Sequence, residues 1–226
     1  MVGISMPSRH SSDHSISDAE FTAEKLGMEL LSMSIEEIHH SAESTLIHEL
    51  EKGHSVAAEN IQSRLRGMLV MGVANARGAM AIATGNKSEL AMGYCTLYGD
   101  MSGGLSVISD LSKTDVYILA NWINSKYPGR IPIGSIKKPP SAELAPNQVD
   151  PFDYDIVSPL VDLIIEEGKT VIQLGELGID KELVNLVYQK IRVSEYKRRQ
   201  AAPGLRVSTK AFGIGRRFPI VNHFKN

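Results

Sequence analysis

Residues 81–113 constrain the fold of this chain more than any other stretch. A run of small apolar residues at 79–83 predicts a buried parallel strand, and Thr84-Gly85 ends it where a short helix begins. In open α/β sheets, ligands bind beyond the carboxyl ends of the strands, often against the amino end of the next helix. The stretch therefore predicts an α/β domain with a ligand-binding site at this junction.

The junction carries polar groups that suit such a site. A hydroxyl, an acid, two consecutive glycines and a cation follow the strand, at Thr84, Glu89, Gly103-Gly104 and Lys113. The same residue types also suit a helix start, with Thr84 or Asn86 as a cap and Glu89 as a first-turn acid that the helix dipole favours. Local chemistry alone leaves both interpretations open, ligand binding and helix capping.

Strand and helix patterns alternate at the amino end of the chain. They predict a strand over residues 2–6, a helix from about Ser17 to Leu26, a strand over residues 28–34 and a helix from Ile35 to about Gly53. This alternation is typical of a doubly wound, mostly parallel sheet.

The remaining chain shows helical periodicity over residues 57–77, 113–126, 158–167 and 180–192. In the second of these helices we expect Leu119 to face the core and Trp122 to be a packing residue. Residues 174–180, LGELGID, predict a turn. The proline-rich residues 136–155 predict a long loop, and such loops are usually functional or mobile.

Two polar residues on the predicted helix 57–77 are candidate ligand contacts. Asn60 and Arg64 are four residues apart, so they share one face beside the apolar stripe. They suit either a polar ligand or a solvated helix edge. His39 and His40 point about 100° apart on a helix, so we expect surface histidines rather than a shared metal ion.

Composition narrows the classes of function. The 226 residues are 42% apolar and 22% charged, and the net charge of −2 gives no reason to expect a nucleic acid partner. The one cysteine, Cys95, excludes an internal disulfide and suits a reducing compartment. Since the sequence shows neither a membrane-length apolar run nor a basic-then-apolar leader, we expect a cytoplasmic protein.

Four passages closely resemble the synthetase domain of bacterial glutamine-dependent NAD synthetases. In chain order they are VGISMPSRHSSDHS, ENIQSRLRG, TGNKSELAMGYCTLYGDMSGG and SEYKRRQAAPGLRVSTKAFGIGRRFPI. The resemblance implies a Rossmann-like α/β fold of the adenine nucleotide α-hydrolase type, with a helical and irregular carboxyl-terminal tail. We expect residues 1–200 to form a partial synthetase domain and residues 201–226 to form a docking tail.

The resemblance also implies an amide-forming ligase that uses ATP and Mg²⁺. Members of the family amidate deamido-NAD to NAD through an adenylated intermediate, with release of pyrophosphate and AMP. The ammonia comes from glutamine through a separate glutaminase domain. The alternative is a non-catalytic nucleotide-binding or assembly fragment of the same fold.

The family pattern implies specific contacts in this sequence. Those to ATP are Thr84, Lys113, Ser141 and Met6. Those to deamido-NAD are Asn60, Arg64, Glu89, Tyr94 and Lys197. Glu89 is also the implied Mg²⁺ ligand, whereas Tyr94 suits a buried aromatic position almost as well.

One departure from the family pattern concerns its phosphate-cradling loop. The serine–glycine–glycine–x–aspartate–serine sequence of that loop does not occur in these 226 residues, and neither does a glutaminase domain. We therefore expect a carboxyl-terminal portion of a synthetase that, alone, binds ATP poorly and turns over negligibly. A missing central strand would leave an open sheet edge, so we also expect a homo-oligomer.

Overall fold

A computed structural model describes residues 1–52 and 56–221. In chain order the elements are β1 (Val2–Ser5), α1 (Asp13–Leu26), β2 (Glu29–Ser32), α2 (Glu36–Thr45), α3 (Ile47–Leu50), α4 (Val56–Arg77), β3 (Ile82–Ala83), α5 (Lys87–Met92), β4 (Leu105–Ser106), α6 (Lys113–Lys126), α7 (Ile133–Lys137), α8 (Tyr154–Ile165), α9 (Val171–Glu176), α10 (Lys181–Val193) and α11 (Glu195–Arg198). The chain divides into two compact units. Unit 1 comprises Met1–Arg77 and Tyr117–Pro151, and unit 2 comprises Gly78–Val116 and Phe152–Asn226. Within the described ranges, no helix is both long enough and apolar enough to cross a membrane.

Unit 1 is built on a parallel pair of strands. β1 and β2 pair along their full lengths, and α1 connects them. α1 begins where the Ser12 hydroxyl accepts a hydrogen bond from the Ser15 amide at 3.2 Å. It ends at Gly27, whose φ of 61° lies in the left-handed region that glycine adopts without strain. α1 packs on both strands and on α7, and α2 packs on α4.

Unit 2 combines a second parallel pair with a helical core. β3 and β4 pair in parallel, and Gly204 forms a parallel bridge to Ser106 of β4. A β-carbon at Gly103 would lie 2.8 Å from the amide nitrogen of Ala83, so this close approach of two backbones requires glycine. Helices α5, α8, α9 and α10 enclose the core, whose buried side chains are Ala91, Met92, Val157, Leu160, Val161, Ile164, Ile165, Leu174, Val184, Val187, Ile191 and Phe218.

Local capping corrects two of the predicted helix boundaries. α1 begins at Asp13 rather than near Ser17, because Ser12 supplies the cap. α9 occupies part of the predicted turn at 174–180, because Thr170 and Gln173 form a reciprocal capping box and Leu174 is fully buried. The predicted turn is confirmed only at Leu177 and Gly178, after the end of α9.

Burial corrects two further predictions. No residue of α6 is buried, and Leu119 and Trp122 are 40% and 53% exposed. Helical periodicity identified an apolar side of α6 but could not tell what covers it. His39, predicted at the surface, is 1% exposed, and burial lowers its pKa.

Other elements differ from prediction only in length. The strand predicted at 79–83 is reduced to β3, and the helix predicted from Ile35 breaks at Leu46 into α2 and α3. Its predicted end near Gly53 lies outside the described residues. The predicted loop at 136–155 begins after α7 and ends where α8 begins at Tyr154.

Candidate functional site

Glu89 lies in the first turn of α5, at the junction that follows β3. The Asn86 side chain accepts from the Glu89 amide at 3.0 Å, and Glu89 Oε2 accepts from the Asn86 amide at 3.0 Å. This reciprocal capping box starts the helix. The capping interpretation therefore holds for Asn86 and Glu89, whereas Thr84 is exposed immediately after β3 and is not the cap.

The second oxygen of Glu89 faces Lys113. Lys113 Nζ donates to Glu89 Oε1 at 3.0 Å, and the two side chains are 19% and 20% exposed. Glu89 follows β3 and Lys113 follows β4, so the pair lies where two neighbouring parallel strands end. The Lys113 ammonium also lies 5.4 Å from the centre of the Tyr154 ring. The structure thus brings together an acid and a cation that the sequence separates by 24 residues.

Serine and lysine side chains dock the first turn of α5 on α8. The Ser88 hydroxyl lies 2.9 Å from that of Ser158 and accepts from the Lys113 amide at 3.1 Å. Lys87 is 1% exposed, and its ammonium lies 2.7 Å from Asp162 and 2.6 Å from Glu166. Burial opposes charge on Lys87, but the hydrogen bonds to the two carboxylates outweigh burial and raise its pKa.

Lys197 organises the turn that carries Tyr94. Its ammonium donates to the carbonyl oxygens of Gly93 at 2.8 Å and of Cys95 at 2.7 Å. The Tyr94 ring, between these carbonyls in sequence, makes an edge contact with Phe152 at a centroid distance of 5.7 Å. Burial raises the pKa of the Cys95 thiol to about 12, so this cysteine is an inert packing group.

Four of the predicted site residues lie in unit 1. Asn60 and Arg64 occupy successive turns of α4. Met6 follows β1, and its carbonyl oxygen accepts from Arg66 Nε at 3.0 Å.

Ser141 lies in the segment between α7 and α8. Its hydroxyl donates to the Gln148 carbonyl at 2.6 Å and accepts from the Glu143 amide at 3.1 Å. The Ser141 hydroxyl therefore links two parts of the same loop, at residues 143 and 148.

Mg²⁺ binds oxygen ligands, so the carboxylates near this junction are its candidate ligands. Within residues 1–52 and 56–221, no group of three or more His, Cys, Asp or Glu side chains could hold a metal ion. Nucleotide-bound Mg²⁺ usually takes only one or two protein carboxylates and completes its shell with phosphates and water. The partly exposed carboxylate of Glu89 fits the role of such a single ligand.

Sequence reasoning missed the buried Lys87 of α5 and its contact with α8. One signal could have found it: Asp162 and Glu166 are four residues apart, at the end of a helix whose other inward positions are apolar, and half-buried carboxylates favour a cationic partner. The partner, Lys87, is 79 residues from Glu166, and no local pattern connects the two.

Comparison with known proteins identifies the family of this chain. The model of the NAD synthase family matches residues 1–201. The glutamine-dependent NAD(+) synthetase of Synechocystis sp. is 44% identical over 228 residues, which cover 99% of this chain and 41% of the relative. The chain thus spans about 40% of the length of the curated relatives that it matches.

Solved structures give the same result. The glutamine-dependent NAD+ synthetase of Acinetobacter baumannii, in complex with ADP, is 37% identical with a TM-score of 0.59, over 97% of this chain and 40% of that one. The enzyme of the same name from Cytophaga hutchinsonii is 22% identical with a TM-score of 0.80, over 98% of this chain and 38% of that one, and shows the fold alone. The predicted Rossmann-like α/β fold is confirmed, and the chain belongs to the NAD synthase family.

Proposed function

We propose that this chain binds ATP, Mg²⁺ and deamido-NAD and serves the ATP-dependent amidation that yields NAD. The observation that carries the proposal is the ion pair of Glu89 and Lys113 where β3 and β4 end. Family membership and the ADP complex of the Acinetobacter baumannii relative support a nucleotide as the ligand.

ATP would be held by groups that follow β3 and β4. Thr84 is exposed and offers a hydroxyl, and the Lys113 ammonium would turn from Glu89 to the phosphate oxygens. A fixed cation stabilises the charge that develops on those oxygens as the phosphorus is attacked. Mg²⁺ held at Glu89 would neutralise the leaving pyrophosphate. From unit 1 we assign Met6 and Ser141 to ATP as well.

Deamido-NAD would be held by Asn60, Arg64, Tyr94 and Lys197, with Glu89 as a further contact. An oxygen of the nicotinate carboxylate attacks the α-phosphorus of ATP, and the bond to pyrophosphate breaks. Ammonia then attacks the adenylated carboxyl carbon, and AMP leaves with the bonding electrons. Both steps depend on in-line orientation of the reacting groups, which is what positioned side chains supply.

The nitrogen donor is ammonia, and we propose glutamine as its source because the matched relatives are named glutamine-dependent. Self-association and a cytoplasmic location stay predictions.

Product analysis tests the reaction. Since we expect the chain to turn over negligibly without the phosphate-cradling loop, these residues are tested within a complete synthetase polypeptide. That polypeptide is incubated with ATP, Mg²⁺, deamido-NAD and ammonium, and the nucleotides are separated by chromatography. Equal amounts of NAD and AMP are expected, whereas ADP in place of AMP would reject adenylation. Calorimetric binding of ATP without any NAD would favour the alternative, a non-catalytic nucleotide-binding fragment.

The E89Q variant tests the role of the carboxylate. Glutamine at this position can still accept from the Asn86 amide, so the capping box and the fold should persist. The charge that faces Lys113 and Mg²⁺ is lost, and we expect Mg²⁺-dependent ATP binding and any turnover to fall by about 100-fold. The matched control is E182Q, at an exposed position in the first turn of α10. Wild-type behaviour of E89Q would reject the metal role.

A further inference from the structure

The Glu143 carboxylate ties the segment 138–150 to the start of α1 within unit 1. Its Oε1 accepts from the Ser12 hydroxyl at 2.9 Å and from the Ser15 hydroxyl at 2.8 Å. Its Oε2 accepts from the Ser12 amide at 3.2 Å. Lys138 Nζ completes the cluster with an ion pair to Oε1 and hydrogen bonds of 3.0 Å to both serine hydroxyls.

This environment favours the ionised carboxylate. Burial alone would raise the pKa of Glu143, but hydrogen bonds from Lys138, Ser15 and Ser12 outweigh burial and lower it to about 2. The amino end of a helix adds a favourable partial positive charge. Every hydrogen bond to the Glu143 carboxylate is therefore charge-assisted. Such hydrogen bonds are about twice as strong as neutral ones.

The attachment point lies two residues from Ser141, which is assigned to ATP. The Glu143 amide donates to the Ser141 hydroxyl at 3.1 Å, and the Leu144 amide donates to Gln148 Oε1 at 2.8 Å. From α4, the buried Gln62 donates to the Leu144 carbonyl at 2.8 Å. The position of Ser141 thus depends directly on where the backbone of Glu143 is held.

The backbone at Glu143 adopts a conformation that needs external support. Its φ of 50° lies in the left-handed region, which is unfavourable for a residue with a side chain. Strained residues of this kind persist only where surrounding contacts determine them. In this segment, the contacts to α1 supply that support.

We propose that Glu143 is a positioning residue, whose carboxylate clamps the segment 138–150 to α1 and so presents Ser141 to the phosphates of ATP. The inference rests on the proposed function, because it takes Ser141 as an ATP contact. Glu143 itself touches no substrate in this scheme.

The test uses the E143Q variant of the 226-residue chain and two measurements. Backbone hydrogen exchange reports the clamp directly: we expect the amides of residue 143, Leu144 and Asp150 to exchange at least tenfold faster than in the wild type. The Asp150 amide is included because it donates to the Pro140 carbonyl at 2.9 Å and so closes the loop. Calorimetry with MgATP reports positioning, and we expect the Kd of E143Q to rise about tenfold.

Two further variants separate the clamp from general damage. K138Q removes the cation that faces Glu143. It should speed the same amide exchange and raise the same Kd, each by less than E143Q does. E20Q alters an exposed glutamate of α1 and should change neither measurement. A melting temperature for each variant shows whether the fold persists, and if E143Q does not fold, K138Q decides.

Each outcome supports or overturns the proposal. Unchanged exchange in E143Q would overturn the clamp, and faster exchange with unchanged ATP affinity would overturn the positioning role. If the wild type binds no ATP, the proposed function fails at this site, and the exchange rates still decide whether Glu143 clamps the segment.

Discussion

At the scale of single residues, Glu89 shows how one carboxylate can both cap a helix and pair with a distant cation. The sequence left capping and ligand binding as alternatives, and the two carboxylate oxygens make different contacts. Oε2 completes the capping box with Asn86, while Oε1 faces Lys113. The cap was predictable because its partners are three residues apart. The ion pair was not predictable from spacing, because it requires β3 and β4 to be neighbours.

Glu143 leads to a prediction about acid stability. Its pKa is about 2 in the folded chain, below its ordinary value of 4.5. A carboxylate with a depressed pKa contributes stability that is fully present above its unfolded value and is lost as pH falls toward its folded value. We therefore expect the wild type to exceed E143Q in free energy of unfolding by about 1–3 kcal/mol at pH 6. The difference should shrink between about pH 4.5 and pH 2.

Urea denaturation of both proteins at several pH values measures this difference. Other acids titrate in both proteins, so the subtraction isolates Glu143. A difference that stays constant down to pH 2 would contradict the depressed pKa.

At the scale of elements, length and periodicity decided which predictions succeeded. α4 and α6 are long and periodic, and they form within one residue of the predicted bounds. α9 was missed because two glycines in LGELGID concealed the capping box formed by Thr170 and Gln173. The exposed Leu119 of α6 was missed because periodicity shows that a helix has an apolar side, not what lies against it.

α5 has only six residues, too few for a stable isolated helix, and it depends on tertiary anchors. Its main anchor is the buried Lys87, which lies between Asp162 of α8 and Glu166, the residue that follows α8. In the K87M variant the side chain still fills the space, but two carboxylates lose their cation. Removing one partner of a buried pair costs about 3–5 kcal/mol, and since both carboxylates keep some solvent access we expect about 2–3 kcal/mol.

Chemical denaturation of K87M measures this cost, with K190M at an exposed position of α10 as the control. A loss below 0.5 kcal/mol, the usual range of surface substitutions, would show that apolar packing alone holds α5. Substituting Glu166 as well should recover part of the loss, because it removes one of the two uncompensated charges.

At the scale of the whole chain, the fold class could be predicted, whereas long-range attachments could not. Alternating strand and helix patterns and the family resemblance both indicated a Rossmann-like α/β fold. The residues that follow α11 gave no pattern to say where they lie. In the structure, the Pro203 carbonyl accepts from the Ser106 amide at 2.8 Å, so this segment continues the edge of β4. Hydrogen bonds between distant backbone groups leave no trace in residue periodicity.

Asp110 is the main anchor of this terminal segment and yields the last prediction. It is 4% exposed and accepts from the Val207 amide at 2.8 Å, the Ser208 amide at 2.7 Å and the Ser208 hydroxyl at 2.8 Å. In D110N the amide oxygen can still accept from the Val207 and Ser208 amides, and the Ser208 hydroxyl can turn to accept from the new amide group. The charge-assisted hydrogen bonds become neutral ones, which are roughly half as strong, so we expect a destabilisation of about 1–2 kcal/mol. The amides of Val207 and Ser208 should exchange at least tenfold faster, while those in the core of α10 change less.

The control is D155N, at an exposed position of α8, which should change neither the free energy of unfolding nor the exchange rates by a comparable amount. Equal acceleration of exchange in the terminal segment and in α10 would show that Asp110 supports the whole of unit 2 rather than the segment it binds.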